Sequence, residues 1–157
     1  MNKPYITKKH VIIEIISYVI LFVSIGIAVF FVATHDGDVV ARIGADGPET
    51  ESKFTVLTMP LIMFSCNVLV SVIAHFFPTR LWSMPFTPKP GRELIIYADC
   101  ISMMMLVHIE MSVFTLLSTI CLMTGKIGYL VGFSIYLTIA LLVTIVIYIS
   151  KMYKHNK

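Results

Sequence analysis

LIIYADCISMMMLVHIEMSVFTLLSTICLM, residues 94–123, is the stretch whose reading decides the fold. As a helix it extends about 45 Å at 1.5 Å per residue, more than the roughly 30 Å of a bilayer's hydrocarbon core. It is built mostly of Ile, Leu, Val, Met and Phe, yet it carries Asp99, His108 and Glu110. An ionised side chain at the centre of a membrane helix costs about 2.5–3.5 kcal/mol on insertion scales, so these groups require cover from other helices or a wet cavity. The remaining chain has to supply that cover.

Composition points the same way. The chain of 157 residues is 57% hydrophobic and 13% charged, with a mean hydropathy of +0.88, whereas soluble domains carry about 25% charged residues. These values describe an integral membrane protein whose first partner is the lipid bilayer. Apolar runs place spans at about 11–33, 54–77, 94–123 and 127–150, joined by an outward loop over 34–53, a loop over 78–93 and a tight turn at Thr124-Gly125-Lys126. The expected fold is all-α: one domain over 1–157, a four-helix membrane bundle in which spans three and four form a helical hairpin. The first apolar run exceeds the roughly 7–15 residues of a signal-peptide core, so it reads as an uncleaved anchor. Nine Lys and Arg residues fall in the two tails and the second loop, against three elsewhere (Arg42, Lys53 and Lys126). The positive-inside rule then puts both termini and the second loop in the cytoplasm.

The ionisable groups are few enough to consider singly. Asp99 and Glu110 are eleven residues apart and fall within about 20° of one another on a helix, so they share a face, about 16 Å apart along the axis. His108 points about 180° away from Asp99 and cannot pair with Glu110 on the same helix. Partners must therefore come from other helices. Glu14, one turn inside the first span, reads either as an interfacial carboxylate or as a member of the Asp99–Glu110 face, where the groups would mark an ion or proton path. Asn67, mid-span in the second helix, reads as an interhelical hydrogen-bonding group, and His75 as interfacial. Glu14, Asn67, Asp99, His108 and Glu110 together make up the candidate intramembrane polar path. A structural alternative for Glu110 is a protonated side chain bonded within the bundle to hold helix order. Gly128 and Gly132 form a small-xxx-small pair that would admit another helix, and oligomerisation is consistent with it.

No nucleophile elbow, paired metal-binding histidines or phosphate-cradling glycine loop is present, so the sequence supports neither an enzyme nor a metal or cofactor site. Cys66, Cys100 and Cys121 lie in apolar runs and read as small buried residues. The Met103-Met104-Met105 run spreads over all helix faces and reads as packing. Basic residues sit in clusters at span ends and form no continuous face for nucleic acid. Trp82 beside Arg80 has the character of a headgroup anchor.

The first loop contains five carboxylates, and β-type residues over Val39–Ile43 and Phe54–Leu57 flank Gly44-Ala45-Asp46-Gly47-Pro48, a pattern that suits a short hairpin. Ala45, Asp46, Gly47, Pro48, Lys53 and Pro60 follow the order of a loop reading roughly His-Phe-Asn-Ala-x-Gly-x-Pro-Asp-x-x-Gly-x-Lys, followed by a span with an early proline. Farther on, Pro85-Phe86-Thr87-Pro88 through Tyr97 resembles the approach to that family's third span. Over about residues 34–97 the chain resembles small bacterial membrane proteins carrying the domain of unknown function found at the front of SdpI-type immunity proteins. Arg42 stands where that family has histidine, and Thr50-Glu51-Ser52 replaces its aromatic-glycine pair.

The resemblance implies a bacterial inner-membrane protein giving immunity or resistance to a secreted toxic peptide, or supporting envelope signalling. The partner would be a cationic peptide toxin or another membrane protein, and Arg42, Asp46, Gly47, Pro48, Lys53 and Pro60 would be the loop motif. Acids in an outward loop would attract a cationic amphipathic peptide through a field that salt weakens, although they equally form a solvated face. The rival readings are a small proton-coupled exporter or channel subunit using Glu14, Asp99 and Glu110, and a membrane scaffold without a ligand.

Overall fold

The computed structural model describes residues 3–44 and 47–157. Four helices, α1 (Lys8–Thr34), α2 (Thr55–Phe76), α3 (Glu93–Met123) and α4 (Ile127–His155), alternate in direction, so Lys3 and Lys157 lie at one end of the bundle, here called the terminal end. All four are long and apolar enough to cross a bilayer. The protein is a multi-pass, all-α membrane bundle with a small antiparallel hairpin at the opposite end.

The seam between α1 and α3 is rich in small and polar side chains while the outward faces are apolar, as helix packing in lipid favours. Along α1 the buried positions are His10, Glu14, Ser17, Leu21, Ser24 and Ala28, a four-three-four-three repeat of mostly small or polar side chains. Ile12, Ile15, Val19, Phe22 and Phe30 face outward. Facing this seam, α3 buries His108, Ser112, Thr115, Ser118 and Thr119. Helix α3 is central and packs on all three others, whereas α4 packs chiefly on α3, with lighter contact to the hairpin. Among the described residues, nothing lies within 4 Å of where a Cβ would stand on Gly128 or Gly132 of α4.

The hairpin pairs β1 (Val39–Gly44) with β2 (Gly47–Glu51): Val39 opposite Glu51, Arg42 opposite Glu49, and Gly44 opposite Gly47, with a register shift between Val40 and Arg42. Gly47 sits at φ +123°, open to glycine and strained for other residues. The second strand was expected at Phe54–Leu57. It forms earlier because the chain reverses between Gly44 and Gly47, and Thr55 onward is taken by the first turn of α2. Val39 is buried with Ala28, Val56, Leu122 and Ile127, fixing the hairpin over the bundle's end.

At the terminal end, Lys3 reaches the last turn of α2, its ammonium donating to the carbonyls of Ala74 (3.0 Å) and Phe77 (2.6 Å). A cation here complements the negative end of the helix dipole, while burial pushes the Lys3 ammonium below its ordinary value. Tyr5 is wedged between Trp82 and Tyr97, ring centroids 5.8 and 5.6 Å away, and burial raises its phenol. Trp82 thus packs on the bundle through Tyr5 and Tyr97. Helix α4 outruns its expected end at residue 150 and reaches His155; Asn156 then accepts the Lys89 amide at 2.7 Å, tying the second loop to the helix tip.

Candidate functional site

Ionisable groups collect on two opposite sides of α3. The side facing α1 and α2 begins at His10, whose Nδ1 accepts the Thr7 amide at 3.2 Å. That nitrogen carries no proton, so the ring is the neutral tautomer protonated at Nε2, which donates to the Ser102 hydroxyl at 2.8 Å. One turn deeper, Glu14 is 8% exposed. Its Oε2 lies 2.8 Å from His75 Nε2, and its Oε1 accepts the hydroxyl of Ser71, which in turn accepts that of Tyr18 at 2.8 Å.

Continuing into the membrane, the Tyr18 ring stands edge-on to His108 with centroids 6.4 Å apart. His108 is 1% exposed, and neither ring nitrogen finds a partner among the described residues. It lies about 22 Å into α3, near mid-bilayer.

The side facing α4 begins with Asp99, 4% exposed, whose two oxygens take Lys151 (Nζ–Oδ1 2.7 Å) and His155 (Nδ1–Oδ2 2.6 Å). Lys151 and His155 are four residues apart, so one face of α4 presents an ammonium and an imidazole to one carboxylate. Three turns deeper, Glu110 Oε1 accepts the Thr144 hydroxyl at 2.6 Å, while Oε2 is buried without a partner among the described residues. Glu110 also lines an apolar cavity of about 220 Å³ between α3 and α4.

The shared face of Asp99 and Glu110 and the opposed direction of His108 are as the helical spacing requires. Glu14 does not join that face. It faces the α2 side with His75, so the five groups considered as one path, Glu14, Asn67, Asp99, His108 and Glu110, are divided by α3. Asn67 is buried but donates to its own helix, to the Met63 carbonyl at 2.9 Å. His75 is a partner of Glu14 and not merely interfacial. Cys66 is exposed, against the expectation that all three cysteines are buried, and all three are free thiols. Among the described residues no three His, Cys, Asp or Glu side chains converge as a metal-ligand set.

The loop-motif residues have structural partners. Arg42 pairs with Glu49 and lies 4.0 Å from Glu51. Gly47 and Pro48 open β2. Lys53 donates to the His35 carbonyl at 2.8 Å, capping α1. Pro60 is buried in the second turn of α2, where its missing N–H leaves the Val56 carbonyl without the regular helical bond. Asp46 lies outside the described residues. The partners that sequence reasoning missed are Ser71, His75, Thr144, Lys151 and His155. The spacing of Lys151 and His155 on an extended α4 was the available signal. No protein-family model, curated protein or solved structure matches the chain.

Proposed function

We propose that this membrane protein carries out no covalent chemistry and instead handles protons along the buried seam between α1 and α3, as a small proton-coupled transporter or channel subunit. The observation that carries this reading is His108, mid-membrane and fully buried with both ring nitrogens unpartnered. Leaving a buried polar group unpaired costs about 1–3 kcal/mol. A proton carrier has a use for that arrangement, because a neutral imidazole takes a proton at one nitrogen and releases one from the other.

A proton shared by the Glu14–His75 pair enters from the terminal end. Tyr18 and Ser71 connect that pair to the surroundings of His108, and Ser112, Thr115, Ser118 and Thr119 continue the polar seam toward the hairpin end. The same reading places both termini in the cytoplasm of a bacterium, so that the route runs from the cytoplasmic side of its inner membrane. Vesicles containing the purified protein, loaded with a pH-sensitive dye and energised with a potassium-diffusion potential, test it. Proton flux falls at least tenfold in His108→Leu; flux equal to wild type, or no flux in the wild type, sinks the reading.

A second reading is immunity to a secreted cationic peptide, supported by the placement of the first loop. Val39 seats the hairpin over the bundle end, and Asp36 and Asp38 beside it are exposed. Expression in a peptide-sensitive bacterium separates the two: protection lost in Asp36→Asn/Asp38→Asn but kept in His108→Leu supports immunity, and the reverse supports proton handling.

A further inference from the structure

On the face of α3 opposite the His108 seam, we infer that the cavity between α3 and α4 is a binding site for a protonated lipophilic amine taken from the bilayer. Its walls are Val113, Phe114, Phe133, Tyr136 and Ala140, with Glu110 as the acid among them. A cavity of about 150 Å³ admits benzene. At about 220 Å³ this one takes a body somewhat larger than a single ring.

Three features specify the occupant. Glu110 is the acid on the wall: its Oε1 is held by Thr144 and its Oε2, enclosed and without a partner among the described residues, reaches a donor once the carboxylate turns toward the cavity, where a low-dielectric site calls for a charge-assisted N–H. Aromatic rings beside the carboxylate suit a cation further, since their faces attract positive charge. Depth excludes a lipid headgroup as the source: Glu110 lies about 25 Å from the first residue of α3 and about 20 Å from the last, within the hydrocarbon. Tyr136 is 73% exposed and Val113 also faces outward, so the mouth opens sideways to lipid. The occupant is therefore a small amphipath soluble in the membrane, with an ammonium head for Glu110 and an apolar body for the cavity. Binding does not require proton movement along the opposite seam, and each reading can fail without the other.

The test is equilibrium binding of 4-phenylbutylamine to the full-length protein in nanodiscs, with protein-free nanodiscs as the partition control. Two analogues of the same body accompany it: 4-phenylbutanol, which lacks the charge, and the quaternary 4-phenylbutyltrimethylammonium, which lacks the N–H donor. The amine is expected to bind roughly tenfold or more tightly than either analogue, as one charge-assisted hydrogen bond entails. Glu110→Gln should remove that preference. Ala140→Phe, which fills the cavity and leaves the acid in place, should remove binding of all three and keeps the inference testable if Glu110→Gln fails to fold. Retention equal to protein-free discs, equal affinity for the three probes, or undiminished binding in Ala140→Phe each overturns the site. Proton flux lost in His108→Leu with amine binding intact separates this result from the proton reading.

Discussion

The terminal end of the bundle and its middle treat buried charge differently. About 9 Å into their helices, Glu14 and Asp99 each have both carboxylate oxygens engaged, by Ser71 and His75 in one case and by Lys151 and His155 in the other. Near mid-bilayer, Glu110 has one oxygen engaged and His108 has neither ring nitrogen engaged. Desolvated charge survives when it is paired, so the first two groups act as ties between helices. The second two lie where a missing hydrogen bond costs most, and among the described residues Glu110 Oε2 and both His108 nitrogens lack one. Groups of the first kind hold helices together; groups of the second kind are the ones on which the two proposals above rest.

That contrast can be broken by measurement. Asp99→Ala leaves Lys151 and His155 facing each other without a counter-charge. Because Lys151 is half exposed and partly screened, we expect a loss of about 3 kcal/mol, the low end for a broken buried pair. Thermal unfolding in detergent reads it, and a loss under about 1 kcal/mol would remove the distinction between the two depths. Glu14→Gln keeps the shape and forfeits the charge-assisted bonds, with an expected loss of about 1–2 kcal/mol in the same assay.

His108→Leu should go the other way. Removing an unpaired polar ring from the interior leaves stability unchanged or raises it by about 1 kcal/mol, in the same variant that loses proton flux. A destabilised His108→Leu would mean that the ring is a packing element and the middle no different from the end.

The smallest effect concerns pH. Folding lowers the Lys3 ammonium from 10.5, so just below that value the unfolded chain holds more protons and stability rises with pH. Tyr5 is raised from 10.0, so above that value the folded chain holds more protons and stability falls. Unfolding temperature should therefore peak in the alkaline range. Lys3→Met should flatten the rising limb and Tyr5→Phe should make the falling one shallower.

Four spans, the tight turn and the opposed directions of Asp99 and His108 were legible because they follow from run length and the helical repeat. Which helix covers each face was not, since these helices are apolar almost all round and no strong one-sided pattern marks their seams. The α1 seam is marked instead by size and polarity at His10, Glu14, Ser17 and Ser24, a weaker signal dispersed over five turns. Lys151 entered only the charge count of the carboxyl-terminal tail, because the fourth span was expected to end at residue 150, and His155 was not singled out. Here the long Lys151 stem lets its ammonium remain partly wet while reaching the Asp99 carboxylate. The second hairpin strand was misplaced because Phe54–Leu57 has strand-like composition, while Gly47–Glu51, two of whose five residues are Gly and Pro, does not. Its strand character comes from the turn beside it and from Arg42 across the ladder.

The attachment of α4 has a mechanical corollary. This rod is pinned by a three-residue turn at one tip and by the Asp99 ion pairs near the other, with the Thr144 hydroxyl bond between. A beam is freest between its fastenings, and the stretch between the turn and Thr144 carries the α4 wall of the Glu110 chamber. The width of that space deep in the oil is thus set by the two fastenings that bracket it.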